Sequence, residues 1–154
     1  MAKRFPLQPL HDLASDRLDA ATRRLAQLKK QWQLEEDKLA QLHGFREEYR
    51  RRLGETLSSG VDMSRMRDFH VFIAKIETAI AQQNVEIQRC MAEWEEGQRV
   101  WLEEQRKLKT FGVLKDRHMR VERAKEVRAE QREQDEHARK STAHGPDTQA
   151  PRKS

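Results

Sequence analysis

Between Leu10 and Gly145 the sequence contains no proline; its four prolines are Pro6, Pro9, Pro146 and Pro151. No segment in that interval is barred from helix on this ground. Cys90 is the only cysteine, which excludes an intramolecular disulfide and a multi-cysteine metal site, and fits a reducing compartment. The six glycines are scattered, so no glycine-rich phosphate loop is formed. No two of the six histidines stand at i, i+4, so no helix offers a histidine pair to a metal. No serine has the context of a nucleophile elbow. The longest apolar run is Val71-Phe72-Ile73-Ala74, far short of the roughly 20 residues of a membrane-spanning helix. Lys3 and Arg4 are not followed by the apolar stretch of a secretory signal. The expectation is a soluble cytoplasmic protein with no cofactor and no transmembrane segment.

Aromatics make up 6% of the 154 residues, apolar residues 36% and charged residues 37%. That is too little apolar material for a deep core and enough for a narrow seam between helices. A narrow seam supplies no dry concave pocket in which carboxylates could be tuned for catalysis, so the chain reads as a non-enzyme. The net charge of +5 is not concentrated: residues 1–60 carry 12 basic and 9 acidic side chains, 61–114 carry 8 and 9, and 115–154 carry 11 and 8. Interleaved charges argue against nucleic acid as the partner and are compatible with acidic protein surfaces.

What is abundant is helix-forming Ala, Leu, Glu, Lys, Arg and Gln in a 3-4 repeat. After an irregular lead over 1–9, the first helix is expected over 10–57, with Pro9 suited to its first turn. Its seam runs Leu7, His11, Ala14, Leu18, Ala21, Leu25, Leu28, Trp32, Glu35, Leu39, Leu42, Arg46, Tyr49, Leu53. Sustained heptad spacing of this kind specifies a coiled-coil helix. A turn is expected over 58–63, where Gly60 can take the left-handed conformation that closes a helix and Asp62 or Ser64 can cap the next. A second helix is expected over 64–140, with the seam Met66, Phe69, Ile73, Ile76, Ile80, Gln83, Ile87, Cys90, Trp94, Gly97, Trp101, Glu104, Leu108, Phe111. The short connection predicts an antiparallel hairpin, an all-α fold in which positions equidistant from Gly60-Val61 face each other. Trp101 is then expected over Ala21 and Leu18, and Trp94 against Leu25 and Leu28. The partner of the second helix is exhausted near residue 111. Residues 115–140, with nine basic and seven acidic side chains, form a charged extension, either a solvated helix or a docking element. Residues 141–154 read as a disordered tail.

Cys90 in the seam acts as a small hydrophobe, and the three tryptophans are seam residues rather than base-stacking platforms. One region exceeds a two-helix seam. Leu42 is paired with Ala79, Phe45 with Ile76 and Tyr49 with Phe72, three layers at one level of the hairpin. Phe45, Phe72 and Ala79 flank the seam, which widens the apolar stripe near the turn into a candidate partner site.

These residues also carry a resemblance. "LHGFREEYRRRL" (42–53), Gly60 and "DFHVFIAKIETAIAQQ" (68–83), with "LHDLASDRLDAATRRL" (10–25) and "KLKTFGVLKDR" (107–117), are similar to the FliJ family of flagellar type III export proteins. The resemblance spans most of residues 7–140. It implies an antiparallel coiled coil, like a rotor stalk, that is monomeric when free and binds the hexameric flagellar export ATPase at its central channel, promoting its assembly and activity. It also implies binding to the cytoplasmic domain of the export gate membrane protein, escort of export chaperones, and a place on the cytoplasmic side of the inner membrane at the flagellar base. The family's gate-binding patch maps onto Leu42, Phe45, Tyr49, Phe72, Ile76 and Ala79; Phe45 stands where tyrosine is more usual and Ile76 where leucine is, with Lys38 and Gln83 at the flanks. The rotor-stalk analogy puts the ATPase contact at the open end of the hairpin, with Leu10, Leu13, Arg17, Arg117, Arg120 and Arg123 as candidates. The alternative from another class is a generic structural coiled coil that dimerises as a parallel rod.

Overall fold

The computed structural model describes residues 2–60 and 62–144, and among these it contains two helices and no strand. Helix α1 spans Gln8–Ser58 and helix α2 spans Met63–Ala143, and the two pack against each other as an all-α hairpin. Both run slightly past their expected ends. α1 opens two residues earlier, with Pro9 in its first turn, where a missing N–H costs no intrahelical bond. α2 continues through Ser141–Ala143, residues expected in the tail; residues 145–154 of that tail lie outside the described residues, as do Met1 and Val61.

Sequence-local chemistry makes the turn. The Ser58 hydroxyl donates to the Glu55 carbonyl (2.8 Å) and that of Ser59 to the Thr56 carbonyl (3.1 Å), satisfying acceptors that the end of α1 leaves open. Gly60 has φ +83°, the left-handed conformation that only glycine adopts without penalty. Of the two expected caps Asp62 is the one used: its Oδ1 lies 3.5 Å from the Ser64 amide nitrogen and its carbonyl accepts from Met66 N–H at 3.2 Å.

The chain divides into two units. In the first, Ser15–Lys107, every expected seam position from Leu18 to Leu53 and from Met66 to Glu104 is buried or half-buried. Leu28, Ile76, Ile80, Ile87 and Cys90 are its buried apolar centre, and Cys90 is the most deeply covered. Two of the polar seam entries find each other. Glu35 is buried, and its carboxylate accepts from Gln83 Nε2 (2.6 Å) and Lys38 Nζ (3.0 Å). The Gln83 amide, then Lys38, hold the Glu35 carboxyl below the usual carboxylate range. A buried polar pair is satisfied in one alignment only, so Glu35 and Gln83 specify the register of the hairpin.

Trp94 departs from expectation. Its ring lies 5.6 Å from that of Trp32, and it is Gly97 that faces Leu28 and Leu25. Helical side chains lean toward their own N-terminus, which for α2 means toward the turn. The long indole therefore reaches further along α1 than its Cα level suggests. Trp101 leans the same way, and its Nε1–H donates to Thr22 Oγ1 at 2.9 Å.

The second unit is Met1–Ala14 with Leu108–Ser154. Here the expectation that α2 loses its cover near residue 111 is overturned. Phe5 is buried with its ring 5.6 Å from that of His118, His118 Nε2–H donates to the Lys3 carbonyl (2.9 Å), and Lys3 N–H donates to buried Glu122 Oε2 (3.4 Å). Non-helical chain advances about 3.3 Å per residue against about 1.5 Å in a helix, so a few lead residues cover a longer stretch of α2. From Arg123 to His144 every residue is exposed.

Candidate partner-docking site

Near the turn, Tyr49 is held between two rings of α2. It stacks on Phe72 with centroids 4.0 Å apart and planes at 23°, and meets Phe69 edge-on at 5.5 Å. One heptad line of α1 carries Lys38 and Phe45, and the facing line of α2 carries Phe72 and Ala79; antiparallel packing brings both lines to the same side of the seam. The opposite side at this level is polar: Glu77 of α2 takes Arg46 at 3.7 Å and Arg50 at 3.1 Å. The hairpin thus has one apolar and one charged face.

The six expected residues do not share one fate. Phe45 is 63% exposed and Phe72 41%, while Leu42, Tyr49 and Ala79 are half-buried. Ile76 is only 7% exposed, so it is a correction to the expected surface: it is the floor under the band. As a seam residue pointing at α1, it has no free face to offer. Sequence reasoning missed the continuation of the band around α2, where Val71, Ala74, Lys75, Thr78, Ala79 and Gln82 line a shallow depression of about 400 Å³. The signal was there in Val71, Ala74 and Thr78, small or apolar residues at three- and four-residue steps outside the seam.

The residues expected at the open end are all exposed. Within the second unit Leu10 and Leu13 of α1 are half uncovered, and Arg117 and Arg120 edge a small depression of about 190 Å³ with Val113 and Asp116. Arg17 belongs to the first unit.

Much of the remaining charge is held locally. Arg51 pairs with Glu48 and Glu55, Arg89 with Glu86 and Glu93, and Arg99 with Glu96 and Glu103, each at i−3 and i+4. In each case the arginine holds the preceding carboxyl below its usual range. Burial pushes the Cys90 thiol up. Among the described residues no helix is long and apolar enough to cross a membrane, and no group of three or more His, Cys, Asp or Glu could hold a metal ion.

Fold and band together define an all-α helical hairpin with an exposed aromatic band near its turn. The family model described as "Flagellar FliJ protein" matches residues 3–146. The chain is 27% identical to the flagellar FliJ protein of Salmonella typhi and 26% identical to that of Escherichia coli (strain K12), each over 147 residues that make up 96% of this chain and 100% of the relative. The chain belongs to the flagellar FliJ protein family.

Proposed function

We propose that the protein is a non-enzymatic part of the flagellar type III export apparatus that docks the cytoplasmic domain of the export gate membrane protein through its apolar band. Phe45 and Phe72 provide the exposed contact, Leu42, Tyr49 and Ala79 its shoulders, and Ile76 its support. The open end, with Leu10, Leu13 and Arg17 on α1 and Arg117, Arg120 and Arg123 on α2, engages the central channel of the hexameric export ATPase and promotes its assembly and activity. The same protein escorts export chaperones and works at the cytoplasmic side of the inner membrane. The resemblance to the family supports these roles. The observation that carries the gate reading is the Tyr49–Phe72 stack, which presents an aromatic face beside exposed Phe45 and opposite a charged face.

The test is a pull-down from flagellated cells with wild type, Phe45→Ala and Phe72→Ala. Wild type is expected to recover the gate and the ATPase, and the variants to lose the gate while keeping the ATPase. Wild type recovering neither overturns the reading. Charge reversal at Arg117, Arg120 and Arg123 is expected to weaken stimulation of ATP hydrolysis without changing gate recovery, and unchanged stimulation removes the ATPase assignment.

A further inference from the structure

Away from the turn, the same face of the Ser15–Lys107 unit carries a chemically different feature. An open groove of about 520 Å³ is lined by Ala21, Leu28, Gly97 and exposed Val100, with Arg17 and Arg24 on its α1 side. The dip exists because small residues meet there: Gly97 contributes no side chain, and Ala20 and Ala21 contribute one methyl each. Arg17 and Arg24 lie on the heptad line that leads on to Lys38 and Phe45.

The free charge of this groove is positive. Arg17 and Arg24 are exposed and make no hydrogen bond or ion pair among the described residues. Of the two acids that also line it, Glu93 is held by Arg89 at 2.5 Å; Glu104 Oε1 lies 3.6 Å from Lys107 Nζ, while its Oε2 is buried without a hydrogen-bond partner among the described residues. An apolar lining between two unpaired guanidinium groups calls for an occupant that is apolar at its centre and acidic at both ends. Arg17 and Arg24 are two helical turns apart, about 10 Å along the axis, and the groove runs between parallel-lying helices. A third helix fits that geometry, with one large apolar side chain over Ala21 and Gly97 and carboxylates seven residues apart reaching the two arginines.

We propose that this groove docks an acidic amphipathic helix of a partner protein, at a site separate from the apolar band. Arg24 and Phe45 are 21 residues apart on one helix, about 30 Å, so the two surfaces can be occupied independently. The inference does not rest on the proposed gate or ATPase contacts. Arg17 is shared with the latter, whereas Arg24 and Val100 belong to the groove alone.

The probe is a fluorescein-labelled helical peptide with two glutamates seven residues apart and a leucine midway, titrated with the full chain and followed by anisotropy. Saturable binding that weakens with added salt is expected. Arg24→Glu and Val100→Glu, both at exposed positions, are each expected to weaken it about tenfold, with helical circular dichroism and thermal midpoint unchanged. Phe45→Ala is expected to leave it intact. A peptide with lysines for the glutamates should fail to bind, and one with alanine for the leucine should bind markedly less. Absence of binding by the acidic peptide, equal binding of the lysine peptide, or indifference to the leucine overturns the proposal; the last would mean that any polyanion, nucleic acid included, suffices. Loss of gate or ATPase recovery with normal peptide binding would count against the proposed export contacts and leave the groove standing.

Discussion

Gly97→Ala should behave unlike the same substitution elsewhere in the same two helices. An alanine replacing an interior helical glycine normally gains about 1 kcal/mol, because glycine loses more backbone freedom on folding. Gly44 and Gly54 have nothing within 4 Å of where a Cβ would stand, so Gly44→Ala and Gly54→Ala should each stabilise by up to about 1 kcal/mol. A methyl at Gly97 would lie 2.7 Å from Leu28 Cδ1 and 3.4 Å from Leu25 Cδ1. Carbon atoms prefer about 3.5–4.0 Å, so Leu28, only 4% exposed, must move by roughly 1 Å. Its exit is the neighbouring groove, and uncovering some 40–60 Å² of methyl surface there costs about 1–1.5 kcal/mol. The gain and the cost nearly cancel or leave a small loss, and Gly97→Ala should fall short of Gly44→Ala by about 1–1.5 kcal/mol. Urea denaturation followed by circular dichroism measures the difference. Adding Leu28→Ala removes the obstructing methyl, so the double variant should show a favourable coupling of about 1 kcal/mol. Stabilisation by Gly97→Ala equal to that of Gly44→Ala, with no coupling to Leu28, would refute the close approach of the helices at this level.

Three further outcomes follow from the geometry. Gly60→Ala places a side chain at φ +83° and should destabilise the hairpin by about 1–2 kcal/mol, read as a lowered urea midpoint. The Gln83 amide holds the Glu35 carboxyl, and the Lys3 amide the Glu122 carboxyl, below the usual carboxylate range. A depressed folded value means that their stabilising contribution is present above about pH 4.5 and is lost as pH falls through the folded values; NMR titration of the two carboxyl carbons should show midpoints below 4.5, and midpoints at or above it would contradict the bonding. Cys90 is buried with its thiol pKa raised, so alkylation by iodoacetamide at neutral pH should be far slower in the native protein than in urea, and equal rates would mean an open seam.

The heptad spacing alone determined which residues face the partner helix. Every seam position expected within Ser15–Lys107 is covered, because a period near 3.5 leaves a helix only one stripe to bury. Gly60 and Asp62 were legible for a similar reason, since left-handed backbone and N-capping are local chemistry. Tertiary structure decided what depends on depth and direction. Trp94 meets Trp32 because a leaning indole reaches beyond its own Cα level. Phe5 covers His118 although no repeat includes it, since the lead is not helical and has no period to read. The positive groove, too, needed the folded chain: the Arg89–Glu93 and Glu104–Lys107 pairs stand at local helical steps in α2, but only packing brings Arg17 and Arg24 of α1 beside Gly97 and Val100.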